Sequence, residues 1–234
     1  MLRSPVLLAA FVAVTAGNLL ANAAGNDLGE LVTKPLLMPL LAAYLWRAAA
    51  DRGTRPDRLV LAALALSTGG DVALLGTGAG AFLTGMALFL GAHACYVAAF
   101  VRGGAATALR RPPLLAVPLA YAVLTVAALT WMWPGLADAG LAVPVAGYAI
   151  ALATMASTAT AYGWRVGLGG GLFLLSDLLI ALNVAGTATL PGPPIWVMAT
   201  YAAGQALIVT GWAARRGAAA STPPVTPAAA PAAG

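Results

Sequence analysis

The sequence predicts an all-α, polytopic membrane protein: a bundle of eight transmembrane helices with both termini in the cytoplasm. Three observations predict it. Apolar residues make up 61% of the 234-residue chain and charged residues only 8%, against about a quarter charged in a soluble domain. The apolar residues form long unbroken Leu/Ala/Val runs, not the period-two alternation of a membrane barrel strand. The basic residues are one-sided: Arg3, then Arg47, Arg52, Arg55 and Arg58, then Arg102, Arg110 and Arg111, then Arg165, then Arg215 and Arg216 all fall on one side of an eight-span arrangement. Positive charge marks the cytoplasmic side.

A span takes about 20 apolar residues, and eight segments qualify: 5–23, 33–50, 58–76, 79–101, 113–132, 140–161, 166–186 and 194–214. The first follows Arg3 and carries Asn18 and Asn22, expected to face the bundle. The same stretch also resembles a secretory leader cleaved after Ala21-Asn22-Ala23, which would leave seven helices with the amino end outside. The length of its apolar run favours a retained span. The second segment opens at Thr33-Lys34-Pro35, which reads as an N-cap followed by a first-turn proline. Gly76–Gly80 separates the third and fourth. Arg111-Pro112-Pro113 precedes the fifth and Pro134-Gly135 follows it. Arg165 divides the sixth from the seventh, and Pro191–Pro194 introduces the eighth. Pro39, Pro118 and Pro144 lie in or near the starts of spans, where neighbouring helices tolerate kinks. Gly167, Gly169, Gly170 and Gly171 predict close helix approach. Residues 1–216 are expected to form one transmembrane domain, and 217–234, uncharged and rich in Ala and Pro, a disordered cytoplasmic tail.

The net charge of +5 follows from this sidedness. It points to topology and anionic lipid, not to nucleic acid. Asp27, Glu30, Asp138 and the exceptional Lys34 fall on the opposite side. A bacterial-type plasma membrane is the expected location. Cys95 is the one cysteine, so no internal disulfide forms.

Against this background the ionisable residues inside spans stand out. Asp71 lies in LVLAALALSTGGDVALLG, Asp177 in GLFLLSDLLIALN, and His93, the one histidine, in FLTGMALFLGAHACYVAAF. A charge at bilayer centre costs about 2.5–3.5 kcal/mol on insertion scales, so such a residue is a functional hypothesis. At 1.5 Å per residue, Asp71 comes out about 18 Å from the cytoplasmic start of its span, Asp177 about 16 Å, and Gln205 about 16 Å from the other side. His93 comes out nearer the cytoplasmic half. Tyr201 lies one turn outward of Gln205 on the same face, and Asn183 almost two turns outward of Asp177 at a similar angle. Thr68-Gly69-Gly70-Asp71-Val72-Ala73-Leu74-Leu75 also resembles Leu175-Ser176-Asp177-Leu178-Leu179-Ile180-Ala181-Leu182. A parallel four-plus-four repeat would set the two aspartates at similar depth, facing each other.

Simpler readings exist for each residue. One buried Asp can be a structural hydrogen-bonding group. Phe82, Met86 and Phe89 step at helical spacing and suit packing or an acyl-chain wall better than a cofactor box. Lys34 either snorkels at the outer interface or meets a phosphate near a helix N-terminus. No cofactor is expected. A metal held by His93, Asp71 and Asp177 would exhaust the intramembrane ionisable groups and leave no acid or base. Ser67 and Ser176 lack a nucleophile-elbow setting, and no phosphate loop or dinucleotide fingerprint is present.

Several short motifs together resemble the YhhN family: Thr33-Lys34-Pro35-Leu36-Leu37-Met38-Pro39-Leu40; Ser67 with Gly70-Asp71; Phe82, Gly85, Phe89, His93 and Tyr96; Phe173 with Ser176-Asp177 and Asn183; and Tyr201 with Gln205. They run in order from the second span to the eighth; the stretch between Arg102 and Arg165 shows none. The resemblance implies an eight-helix integral membrane enzyme, a lysoplasmalogenase, that hydrolyses the vinyl ether of lysoplasmalogens to a fatty aldehyde and glycerophosphoethanolamine or glycerophosphocholine. That reaction protonates a carbon to give an oxocarbenium ion, which water captures. It needs a protonated carboxyl and a carboxylate, as in the paired carboxylates of glycosidases. Asp71 and Asp177 would form that pair with roles open, and His93 would orient water or shuttle protons. Tyr201, Gln205 and Asn183 would hold the glycerol hydroxyl or hemiacetal, with Tyr96 beside them. Lys34 would meet the headgroup phosphate, and Phe82, Met86 and Phe89 would line an acyl tunnel. The partners implied are a lysophospholipid substrate and membrane lipid. Two other classes fit the same residues: a small proton-coupled transporter or lipid-flipping protein using the aspartates as a relay, and a catalytically idle structural protein.

Overall fold

The computed structural model describes residues 3–112, 114–188 and 193–220. Among them every regular element is helical: α1 (Ser4–Ala23), α2 (Asp27–Ala50), α3 (Arg58–Ala73), α4 (Gly78–Arg102), α5 (Ala105–Leu109), α6 (Ala116–Asp138), α7 (Ala142–Ala159) with a 3₁₀ turn at Thr160–Tyr162, α8 (Trp164–Val184) and α9 (Pro193–Ala220). Six are long and apolar enough to cross a membrane: α1, α2, α4, α6, α7 with its 3₁₀ turn, and α8. The protein is a multi-pass helical membrane protein. The 16 residues of α3 extend about 24 Å, short of a ~30 Å hydrocarbon core.

Three expected boundaries are corrected. Helix α2 begins at Asp27, not at Thr33: the Asn26 side chain accepts from the Gly29 N–H at 3.1 Å, and Asp27 and Glu30 in the first turn suit the helix dipole. Thr33 is therefore interior, its hydroxyl donating back to the Gly29 carbonyl at 2.6 Å, and Pro35 lies inside the helix. Helix α6 continues through Pro134-Gly135 to Asp138. The reason is a close crossing: a Cβ on Gly135 would lie 1.9 Å from the Ala185 carbonyl oxygen just past α8, so only glycine lets the two helices meet there. Helix α9 runs to Ala220, beyond the expected end at 214; the remainder of the expected tail lies outside the described residues, as do residues 191 and 192 of the expected Pro191–Pro194 loop.

The helices pack in a pattern that maps onto itself when α1–α4 are exchanged with α6–α9. Helix α3 lies on α4 as α8 lies on α9, α2 on α3 as α7 on α8, α1 on α2 as α6 on α7, and α4 on α7 as α9 on α2. This is the arrangement the Asp71/Asp177 sequence likeness anticipates. Between apolar helices in lipid there is little hydrophobic drive, so small residues and tight contact hold them. A Cβ on Gly169 would sit 2.7 Å from the Gly204 carbonyl oxygen, and one on Gly204 2.8 Å from that of Gly169. The interior between the halves is filled by Leu37, Met38, Leu64, Phe100, Met155 and Ile208, all fully buried. Trp46, Leu119, Val126, Trp131 and Trp164 cover the exterior, as expected of a surface facing lipid.

Candidate active site

The polar interior is concentrated toward one end of the bundle. Lys34, Tyr148, Asp177 and Tyr201 each lie within about 12 Å, along their helices, of the same end, and Asp71 occupies the last turn of α3. All five border one cleft, together with Ser176 and the apolar Phe82, Met86, Phe89 and Met198. The cleft and its mouth have a volume of about 740 Å³.

Asp71 is brought there by Gly70, where any Cβ would come within 2.7 Å of the Phe89 ring; the glycine lets α3 lie flat on α4. The Asp71 carboxylate is 2% exposed, and its Oδ2 accepts from the Tyr201 hydroxyl of α9 at 2.8 Å. Asp177 is more open, with its side chain 14% exposed. Its Oδ2 accepts from the Tyr148 hydroxyl of α7 and its Oδ1 from the Ser176 hydroxyl at 3.0 Å. His93 is fully buried, its Nε2 at 2.9 Å from the Tyr148 oxygen and 3.6 Å from Asp177 Oδ2. Tyr148 has one hydroxyl proton. With that proton given to Asp177, the oxygen accepts from His93, whose Nε2 must carry the hydrogen. Among the described residues Nδ1 has no hydrogen-bond partner.

An aromatic collar fixes these groups. Phe89, Phe173 and Tyr201 meet edge to face with centroids 5.3–6.1 Å apart, and His93 stands edge-on to Phe173 at 4.8 Å. Such geometry adds about 0.5–1.5 kcal/mol per pair. Lys34 is buried beside the cleft with its ammonium 3.2 Å from Glu30. Among the described residues no three His, Cys, Asp or Glu side chains gather as a metal ion requires.

The structure thus brings Asp71, Asp177, His93, Lys34, Tyr201 and Phe89 together. It does not bring Tyr96, Gln205 or Asn183 to the cleft wall. Tyr96 donates to Gln205 Oε1 at 2.6 Å, and Gln205 Nε2 donates to Ser67 at 3.1 Å. All three are fully buried, a polar clasp joining α3, α4 and α9. Asn183 is exposed, next to the last residue of α8. Sequence reasoning missed Tyr148, which carries the contact between His93 and Asp177. The available signal was a lone tyrosine in the otherwise apolar segment AVPVAGYAIALATMASTA.

Fold and site together define a multi-pass membrane protein with two carboxylates facing one intramembrane cleft. Within that class, the chain belongs to the YhhN family, which it matches over residues 29–212. It is 32% identical over 197 residues to a protein of Mycobacterium bovis named lysoplasmalogenase, covering 80% of this chain and 74% of that one. Similar proteins named lysoplasmalogenase TMEM86B are found in Sus scrofa, 34% identical over 73% of this chain and 70% of its own length, and in Homo sapiens, 33% identical over 76% and 72%. No solved structure matches the chain significantly.

Proposed function

We propose that the protein is a lysoplasmalogenase-like hydrolase, with the cleft between Asp71 and Asp177 as its active site. The carrying observation is that these two carboxylates, on different halves of the bundle, border one cleft in a chain related to proteins of that name. In this reading eight segments cross the membrane, the short α3 together with the residues after it, with both termini cytoplasmic.

The chemistry assigns distinct tasks. Protonation of the β-carbon of an alkenyl ether leaves an oxocarbenium ion. Water adds to the carbon bearing oxygen and gives up a proton, and the resulting hemiacetal collapses to an aldehyde and the free glycerol hydroxyl. One proton is delivered and one taken per turnover, so the site needs one carboxylic acid and one carboxylate. Asp71 accepts one hydrogen bond and keeps an oxygen free to carry the proton; we assign it as the acid. Both oxygens of Asp177 accept hydrogen bonds, which suits the carboxylate that stabilises the cation and receives the proton from water. His93 acts through Tyr148, holding that hydroxyl toward Asp177. Lys34, about 10 Å inside the end of α2, meets the headgroup phosphate, while Phe82, Met86 and Phe89 form the apolar wall beside the reacting carbons.

The test is direct. Purified protein in detergent, given an alkenyl lysophosphatidylethanolamine, should release fatty aldehyde and glycerophosphoethanolamine in equal amounts. Folded protein that releases neither, but moves protons or lipid when reconstituted in vesicles, would replace this reading with transport.

A further inference from the structure

A second cavity meets the active site from the side, and what it holds completes the substrate. It lies between α6, α7 and α8, lined by Ala128 and Met132, Ala149 and Leu152, and Leu174 and Leu178. Its volume is about 1060 Å³, against about 740 Å³ for the cleft. Val145, Tyr148, Asp177 and Ala181 border both spaces, so a wall one side chain thick separates them and Asp177 stands in it. Both spaces are walled mainly by apolar side chains and differ in the few polar ones. The cleft has Lys34 and Asp71. The groove has Thr125 as its one further polar wall residue, and that hydroxyl is spent on the Tyr121 carbonyl at 2.7 Å.

Helix α6 makes this groove accessible from lipid. Only Met132 and Leu136 of it are buried, while Leu124, Val126 and Trp131 are largely exposed. Near the headgroup end α6 is pinned by the Gly135–Ala185 contact and by a small core of Met132, Leu136, Ala142, Val145 and Ala185. From Met132 back to Leu124 the groove runs about 12 Å along α6, away from that end and toward the middle of the bilayer. A single-chain amphiphile has this polarity. Its phosphate belongs near Lys34, its reacting bond at Asp177, and its hydrocarbon in a dry groove pointing inward.

Resting on the hydrolase reading above, we propose that the α6–α7–α8 groove binds the alkenyl chain of the substrate and is the lateral route by which lipid enters and aldehyde leaves. The chain passes Asp177 between Tyr148 and Ala181 and lies along α6.

Ala128→Trp and Ala149→Trp, which fill the groove from two helices, test this in detergent-purified full-length protein, with thermal unfolding to verify that each variant is folded. Kinetics are compared for hexadecenyl and butenyl lysophosphatidylethanolamine. The long-chain KM should rise about tenfold or more, the equivalent of losing roughly two methylene contacts, and the butenyl KM much less. Equal effects on both substrates, or none on either, would overturn the assignment. A long-chain analogue bearing a diazirine at its end reads the same point without mutation. It should label α6 and α8 peptides of the wild-type protein, and labelling confined to the Phe82–Phe89 stretch of α4 would move the chain to the polar cleft. An active wild type with the wrong chain-length pattern rejects the groove alone; a wild type that releases no aldehyde rejects the hydrolase reading itself.

Discussion

Asp71 and Asp177 face one cleft, yet the two halves of the molecule hold them differently. Each sits on the third helix of its half, and each is met by a side chain from the fourth helix of the other: Tyr201 of α9 reaches Asp71, and His93 of α4 approaches Asp177. The crossing follows from the repeated packing. The local surroundings then diverge. Asp71 is 2% exposed and has one donor. Asp177 accepts from Tyr148 and Ser176 and borders two cavities. A duplicated framework thus places two identical side chains in different hydrogen-bonding and solvent settings, which is what a reaction needing an acid and a base requires.

The comparison can be broken most forcefully by removing the carboxylates. Asp71→Ala and Asp177→Ala should each lower aldehyde release by about 10²–10⁴-fold. Added formate should restore part of the rate to Asp177→Ala, whose site opens on two cavities, and none to Asp71→Ala. Equal rescue of both would erase the distinction. Tyr148→Phe removes the hydroxyl between His93 and Asp177. It should lower kcat by about 10–100-fold with little change in KM, the pattern of an interaction made in the transition state; steady-state kinetics decide. Lys34→Met should instead raise KM several-fold with kcat largely kept. That difference should shrink for an analogue lacking phosphate, because the lost contact is to the headgroup. The smallest catalytic effect is expected at the clasp behind the site. Gln205→Leu leaves the Tyr96 and Ser67 hydroxyls without a partner, costing roughly 1–3 kcal/mol. Thermal unfolding in detergent should show the loss, while activity per folded molecule stays close to wild type.

The order of the helices was legible in the sequence, and most of the residues expected at the site gather around one cleft. Eight apolar runs correspond in order to the eight long helices, because hydropathy and helix-breaking residues act locally. The boundaries that failed did so where tertiary contact overrode local signals. Pro134-Gly135 looked like a loop until α6 was seen to need its glycine against Ala185, and Thr33 looked like a cap until Asn26 was seen to cap instead. Asp71, Asp177 and His93 stand out because charge is costly in hydrocarbon, and Lys34 because it is the one basic residue on the opposite side. Depth and angle on single helices point to Gln205 and Asn183, and the family resemblance to Tyr96, but neither says what a helix faces. Tyr148 was overlooked for the opposite reason, since a tyrosine in a span is unremarkable until its hydroxyl is seen between two ionisable groups.

The sequence by itself determined that this chain is helical, that it crosses a membrane, and which few polar side chains are expensive enough to demand a purpose. Those properties depend on residue type and short-range order along the chain. Tertiary structure alone decided that the two aspartates share a cleft, that Tyr148 links His93 to one of them, and that a dry groove opens beside it. Such facts depend on which faces of separate helices meet, and in lipid that is settled by close packing of small residues across long stretches of sequence.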